Sequence, residues 1–239
     1  MLLPEHLFVI DFETTGIDPL TAHPVELAIL PFDDKFITTF IKPPIPIPPE
    51  TSAVHHIVDS DVCQSADWAT VKAVFIELLE STEAVPILVA HNASYEQGIC
   101  GYGFTPVEWL CTYKASLRVW PNAPGHKNEV LRYWLKLGDD LGRHYPQNAH
   151  NALHDCIVTK LLLLELLKHT TIEQMIEWTK LPAKLPVIPM GKYYKQPWES
   201  ILVPDDYLQW IIKQKDMRPD VVYCAQQELA RRRGLPTKH

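Results

Sequence analysis

Asp11 and Glu13 stand two residues apart at the end of the apolar run Leu7-Phe8-Val9-Ile10, just before Thr14-Thr15-Gly16. Residues i and i+2 of a β-strand share a face, so this spacing sets the two carboxylates side by side. Ionised carboxylates that close repel each other unless a cation lies between them. Hard oxygen ligands of this kind suit Mg2+ or Mn2+. A solvated acidic strand end would be written with the same letters, so the pair needs partners. Glu96 offers one, near the start of an expected helix just after the short apolar run 87–90 and the stretch His91-Asn92-Ala93-Ser94-Tyr95. Asp155 offers another, at the end of His150-Asn151-Ala152-Leu153-His154-Asp155. Five helical residues turn about 500°, so His150 and Asp155 would diverge by about 140° within one helix. They serve one site only if His150 lies in the loop before a helix and Asp155 projects from its second turn.

Four carboxylates and an imidazole meet the needs of in-line phosphodiester hydrolysis. Two divalent ions roughly 4 Å apart clamp the attacking and leaving oxygens. A base takes a proton from the water, which neutral histidine does near neutral pH. His154 is the rival base, but its place beside Asp155 directs it elsewhere on the helix. His55, His56 and His91 read first as packing or hydrogen-bonding residues.

The elements that must hold these groups follow from periodicity. Segments 7–10, 25–30 and 36–41 read as strands at hairpin-like distances, hence an antiparallel start. Short strands are expected at 87–90 and 109–111, and helices at 67–79, 113–119, 128–137 and 151–168. Strands followed by alternating helix and strand indicate an α/β fold with a mixed sheet. The run 43–49 holds five prolines and reads as a rigid surface crossover, with a proline-rich partner ligand as the alternative. A Pro-rich stretch at 180–190 reads as a linker. It divides a domain at 1–179 from a small C-terminal module at 191–239, with helices expected at 205–214 and 220–233.

The chain of 239 residues is 46% hydrophobic and 21% charged, as expected of a globular protein with a proper core. No apolar stretch approaches the roughly 20 residues of a membrane span, and a cleavable signal peptide is not expected. Five cysteines, none in a C-x-x-C pair, argue against a disulfide framework or structural zinc and point to a reducing cytoplasm. The formal net charge is -7, unevenly spread. Residues 1–90 carry three basic against fourteen acidic residues, and the remainder nineteen against fifteen. A carboxylate metal site inflates the acidic count without repelling phosphate, because bound cations invert the local field.

Together these motifs resemble the DEDDh group of DnaQ-like 3′-to-5′ exonucleases. The resemblance spans about residues 6–170. It runs through Asp11-Phe12-Glu13-Thr14-Thr15-Gly16, Val25-Glu26-Leu27-Ala28, Ala53-Val54-His55-His56-Ile57, Ala90-His91-Asn92-Ala93 and His150-x4-Asp155. Segments 109–121 and the tail are similar to the exodeoxyribonuclease X-like branch. The resemblance implies an RNase H-like mixed five-stranded sheet flanked by helices, with a small C-terminal α-rich module. It implies that Asp11, Glu13, Glu96 and Asp155 hold two Mg2+ or Mn2+ ions and that His150 is the general base. Thr14, Thr15, Gly16, His55 and Asn92 would receive the 3′-terminal nucleotide. The implied substrate is the 3′ end of DNA, single-stranded or frayed, with release of 5′-mononucleotides. RNA is the alternative, and a second alternative is a nuclease-like binding module weakened in catalysis. No membrane partner is expected, and protein partners are not legible. Two positions depart from the family pattern. Glu96 stands where aspartate is usual, one methylene longer, and Lys195 stands where the tail usually has glycine.

Overall fold

The computed structural model of the protein describes residues 6–31, 35–101, 104–138 and 151–236. Strands β1 (Leu7–Thr14), β2 (Pro24–Pro31), β3 (Ile37–Phe40), β4 (Ile87–Ala90) and β5 (Glu108–Cys111) form one sheet in the order β3-β2-β1-β4-β5. The first three pair antiparallel, as their hairpin spacing predicts, while β4 and β5 run parallel to β1. β1 is therefore the strand at which the sheet changes sense. Its carboxyl end carries Asp11 and Glu13.

The described helices are α1 (Pro49–His55), α2 (Asp59–Val62), α3 (Trp68–Glu80), α4 (Ser94–Cys100), α5 (Thr112–Val119), α6 (Asn128–Trp134), α7 (Ala152–Leu166), α8 (Ile172–Lys180), α9 (Asp205–Lys213) and α10 (Pro219–Arg232). None is long and apolar enough to cross a membrane. Alternation along β1 feeds two cores. Leu7 and Val9 join Ala28, Leu30 and the inner face of α7, including Cys156 and Leu162. Phe8, Ile10 and Phe12 join Leu27, Ile29 and the α3 residues Phe75 and Leu79. With both faces covered, the strand reads as an unbroken apolar run until its acidic end. The same alternation puts Asp11 and Glu13 on the face that α7 covers.

Three helices lie where none was expected. Pro49, the last residue of the proline run, occupies the first turn of α1, where its missing N–H and fixed φ suit a helix start. α2 is a single short turn. α8 is capped by the Thr171 side chain, which accepts from Gln174 N–H at 3.2 Å. It closes the outer edge of the sheet: Thr179 Oγ1 accepts from Cys111 N–H at 2.8 Å. Lys114 Nζ then donates to the carbonyls of Thr179 and Leu181, both at 2.7 Å, satisfying the end of α8.

The segment after α8 is packed rather than free. Ala183, Leu185 and Ile188 are buried with α9, α10, Trp198 and Leu117 of α5 in a third core. Arg232 staples this part. Its guanidinium donates to Glu228 Oε1 at 2.6 Å, Asp205 Oδ1 at 2.7 Å and the Val203 carbonyl at 2.8 Å. All five cysteines are free, four of them buried, in keeping with a role as core filler.

Candidate active site

The carboxyl end of β1 is held by strand pairing and by hydrogen bonds of the turn that follows. Pairing with β2 sets Glu13 opposite Glu26, and the register shifts between Glu13 and Thr14. Thr15 then closes the turn in both directions: its N–H donates to the His23 carbonyl, and its Oγ1 accepts from His23 N–H, each at 2.9 Å. The Tyr95 hydroxyl donates to the Gly16 carbonyl at 2.5 Å and lies 2.5 Å from Thr14 Oγ1. Thr14 Oγ1 also reaches the Gly16 carbonyl at 2.8 Å. Gly98 on α4 lets the following loop approach, since a Cβ there would come within 2.5 Å of Pro19 Cβ.

α7 supplies the third carboxylate. Asn151 caps this helix, accepting from His154 N–H at 3.3 Å, so Asp155 falls in the first turn rather than the second. One oxygen each from Asp11, Glu13 and Asp155 lies within 4.8 Å of the others. Glu96, in the first turn of α4, is only 4% exposed. Its Oε2 is buried with no hydrogen-bond partner among the described residues, and its charge acts on Asp11. The structure thus gathers three of the four predicted carboxylates, with Glu96 a buried electrostatic neighbour of Asp11.

Their electrostatics are those of a cation site. Burial, with the charges of Asp155, Glu13, Glu96 and Glu26 added, holds Asp11 well above the usual carboxylate range. Burial, with Asp155 and Glu26, pushes Glu13 up to about 8. Burial alone carries Glu96 to about 8 against the pull of a backbone N–H. Carboxylates crowded this way ionise together only when a positive ion balances them. An all-oxygen donor set with a buried unpartnered oxygen fits a hard divalent ion.

His150 lies outside the described residues. His154, the rival, is turned to α6: its Nε2 lies 2.9 Å from Glu129 Oε1, and Arg132 grips the same carboxylate at 2.8–3.1 Å. Burial opposes the Glu129 charge, but Arg132 and His154 outweigh it and hold the carboxyl below its usual value. Glu129, His154 and Asp155 also bring one ligand atom each within 4.8 Å. His91 is a neutral tie, pushed down to about 4 by burial, with Nδ1 2.9 Å from Thr112 Oγ1 and Nε2 2.7 Å from the His126 carbonyl. His55 ends α1, and its Nδ1 accepts from Ile57 N–H at 3.0 Å. Asn92 is exposed at φ +84°, a left-handed position that asparagine tolerates, and its Oδ1 accepts from Ser94.

Sequence reasoning did not single out two residues at the site, Tyr95 and Glu129, and it met Glu26 only as part of the motif Val25-Glu26-Leu27-Ala28, without a role. Glu26 accepts from Ala152 N–H at 3.2 Å and Asn151 Nδ2 at 3.3 Å, which joins β2 to the start of α7. Its signal was present, as a lone charge inside an apolar strand.

A mixed sheet that changes sense at β1, with carboxylates converging on the end of that strand, is the architecture of RNase H-like exonucleases. The chain belongs to that family: the exonuclease family model RNase_T matches residues 8–163. It is 31% identical over 225 residues to Exodeoxyribonuclease 10 of Escherichia coli K12, spanning 90% of this chain and 94% of the relative. It is 26% identical to the DNA polymerase III epsilon subunit of Haemophilus influenzae, over 65% of this chain and 64% of the relative. Among solved structures, Exonuclease X in complex with 5′ overhanging duplex DNA superposes with a TM-score of 0.60 at 29% identity. That match covers 72% of this chain and 99% of the other. Exonuclease I of Escherichia coli bound to single-stranded DNA shares the fold, with a TM-score of 0.56 at 14% identity over 72% of this chain and 42% of the other.

Proposed function

We propose that the protein is a divalent-metal-dependent 3′-to-5′ exodeoxyribonuclease that releases 5′-mononucleotides from DNA. The observation that carries this reading is the convergence of Asp11, Glu13 and Asp155 within 4.8 Å, with Glu96 buried beside Asp11. Membership of the exonuclease family and the likeness to Exonuclease X with DNA support it.

In this reading Asp11, Glu13, Glu96 and Asp155 would hold the divalent ions. Bound Mg2+ or Mn2+ would supply Lewis-acid activation of water and of the scissile phosphate. His150 accepts the proton of the attacking water. Thr14, Thr15 and Gly16 present the turn that receives the 3′-terminal nucleotide, and Tyr95 holds that turn in shape. His23 takes the Thr15 N–H and one lone pair of its hydroxyl, so what Thr15 offers substrate is the hydroxyl proton and surface shape. Asn92 and His55 complete the nucleotide side of the site. The buried, unpartnered Oε2 of Glu96 would be its ligand atom, so the additional methylene shifts the donor without removing it. Residues 1–179 form the nuclease domain, 180–190 the join and 191–239 a C-terminal module.

The test is incubation of the protein with Mg2+ and 3′-labelled single-stranded DNA or RNA. Mononucleotide release from DNA, lost with EDTA and with Asp11→Ala, is expected. Preferential release from RNA would move the assignment to an exoribonuclease. Retention of label with a gel shift would make the protein a binding module.

A further inference from the structure

Beyond α8 the chain presents a line of aromatic rings flanked by lysines, and none of these residues belongs to the carboxylate cluster. A single 3-10 turn, Gly191–Tyr193, lies against α9. Gly191, at φ +74°, allows the approach, since a Cβ there would come within 2.6 Å of the Tyr207 hydroxyl oxygen. The Tyr193 and Tyr207 rings then meet edge to face, 4.7 Å apart. Tyr207 stacks in turn on Trp210, three residues further along the helix, at 5.6 Å with 23° between the planes. The Tyr207 hydroxyl donates to the Met190 carbonyl at 3.3 Å, which fixes the ring. Core packing accounts for the inner end of this line, where Tyr193 and Tyr207 rest on the third core. It does not account for the outer end, since Trp210 is 46% exposed.

The charges around the rings are positive. Lys192 Nζ lies 5.3 Å from the centre of the Tyr193 ring, and Lys195 Nζ lies 5.3 Å from that of the exposed Tyr194. Lys213, also exposed, follows Trp210 by three residues on the same side of α9. None of these three lysines has a carboxylate partner among the described residues. Of the two acids that open α9, Asp205 is held by Arg232 at 2.7 Å, which leaves Asp206 against three lysines. Lys215 and Asp216, just past the helix, offset each other. Lys195 adds a second, independent sign. Its φ of +64° is a conformation that glycine adopts freely and a lysine does not. The turn holds it there, with its N–H donating to the Ile188 carbonyl at 2.8 Å. Backbone strain kept in place by its surroundings points to a use for the side chain.

Exposed rings in line with lysines that lack counter-ions suit unpaired bases, which stack on aromatic side chains, and the phosphates that join them. We propose that this face binds single-stranded DNA, with a base adding to the Tyr207–Trp210 column and phosphates on Lys192, Lys195 and Lys213. The site goes beyond the nuclease reading and needs neither a metal nor a 3′ end. The test uses the full chain carrying Asp11→Ala, in EDTA, so that no DNA is degraded. It is titrated with a closed circle of single-stranded DNA, longer than the roughly 16 nucleotides that a small single-strand site covers. A circle offers no end to the carboxylate site, so this test and the nuclease assay can fail separately. Saturable binding with quenching of tryptophan fluorescence is expected. Trp210→Ala should weaken binding by about tenfold and diminish the quench. Lys192→Gln, Lys195→Gly and Lys213→Gln combined should lower the slope of log K against log salt by about 2. Lys195→Gly alone should weaken binding while the melting temperature holds or rises, a result that loss of the fold cannot imitate. No saturable binding of the circle, or binding indifferent to both Trp210→Ala and the triple lysine variant, would overturn the assignment. Self-association that Trp210→Ala abolishes, in a protein that ignores the circle, would give the face to a second copy of the chain instead.

Discussion

The Glu26 carboxylate on β2 accepts the backbone N–H of Ala152, the first residue of the helix that carries Asp155. The residue directly opposite Glu13 in the β1–β2 register thus fixes the height at which Asp155 enters the site. Glu26→Ala leaves buried donors on Ala152 and Asn151 unmatched, a loss of about 1–3 kcal/mol. The melting temperature should fall by about 2–10 °C, and turnover should fall further than stability because Asp155 moves. Glu26→Gln keeps an acceptor and should lie between. A melt unchanged by Glu26→Ala would disprove the anchoring role.

The pH dependence of stability has a definite sign. Glu13 and Glu96 titrate at about 8 in the fold, against a reference of 4.5. The folded state therefore holds more protons than the unfolded chain between those values, so stability falls as pH rises from about 4.5 to about 8. Asp11→Asn removes a buried like charge, so it should raise the melting temperature in EDTA at pH 8 while abolishing nucleotide release. Differential scanning calorimetry at several pH values reads both. A variant less stable than its parent at pH 8 would contradict the charge-crowding account.

Metal addition should reverse that slope. A divalent ion binds the ionised cluster and stabilises the fold by mass action, displacing protons as it does so. The increase in melting temperature produced by Mg2+ or Mn2+ should therefore be larger at pH 8 than at pH 6, and should shrink in Glu96→Gln. An increase independent of pH would place the ion elsewhere.

Tyr95→Phe removes one hydroxyl that touches both Thr14 and Gly16. About 1 kcal/mol of stability is the expected loss. The turn it holds is the one assigned to the terminal nucleotide, so kcat/KM for single-stranded DNA should fall by about tenfold, for a loss of about 1.4 kcal/mol in the transition state. Thermal denaturation and steady-state kinetics together distinguish this from a purely structural effect.

Lys195 adopts φ +64°, a left-handed conformation that a side chain disfavours. Lys195→Gly should raise stability by up to about 1 kcal/mol, or roughly 2–4 °C in the melt. An unchanged or lower melting temperature would show that the lysine has a compensating contact.

The strands were legible because β1 and β2 are buried on both faces and announce themselves as apolar runs; the four carboxylates were legible because two sit at the end of such a run and two in the first turn of a helix. α8 was not, since only Ile172, Met175, Ile176 and Trp178 are strongly apolar in its nine residues and its place depends on Thr179 and Cys111 meeting across 68 positions. The packing of Ala183, Leu185 and Ile188 escaped notice for a related reason: proline spacing reads as open chain, while burial is decided by what lies opposite. Two polar residues of the site followed the same rule. Glu129 is fixed by Arg132 and His154, and Tyr95 by a turn 79 residues earlier, neither of which periodicity can express.

Leu117 belongs to α5 yet is buried among residues of the C-terminal part, and Lys114 on the same helix holds the carbonyl of Leu181. Trimming the chain at the close of α8 to obtain a minimal enzyme would uncover a greasy face on α5 and strip one carbonyl from its lysine. Such a fragment calls for a polar replacement at position 117 before its behaviour in solution says anything about catalysis.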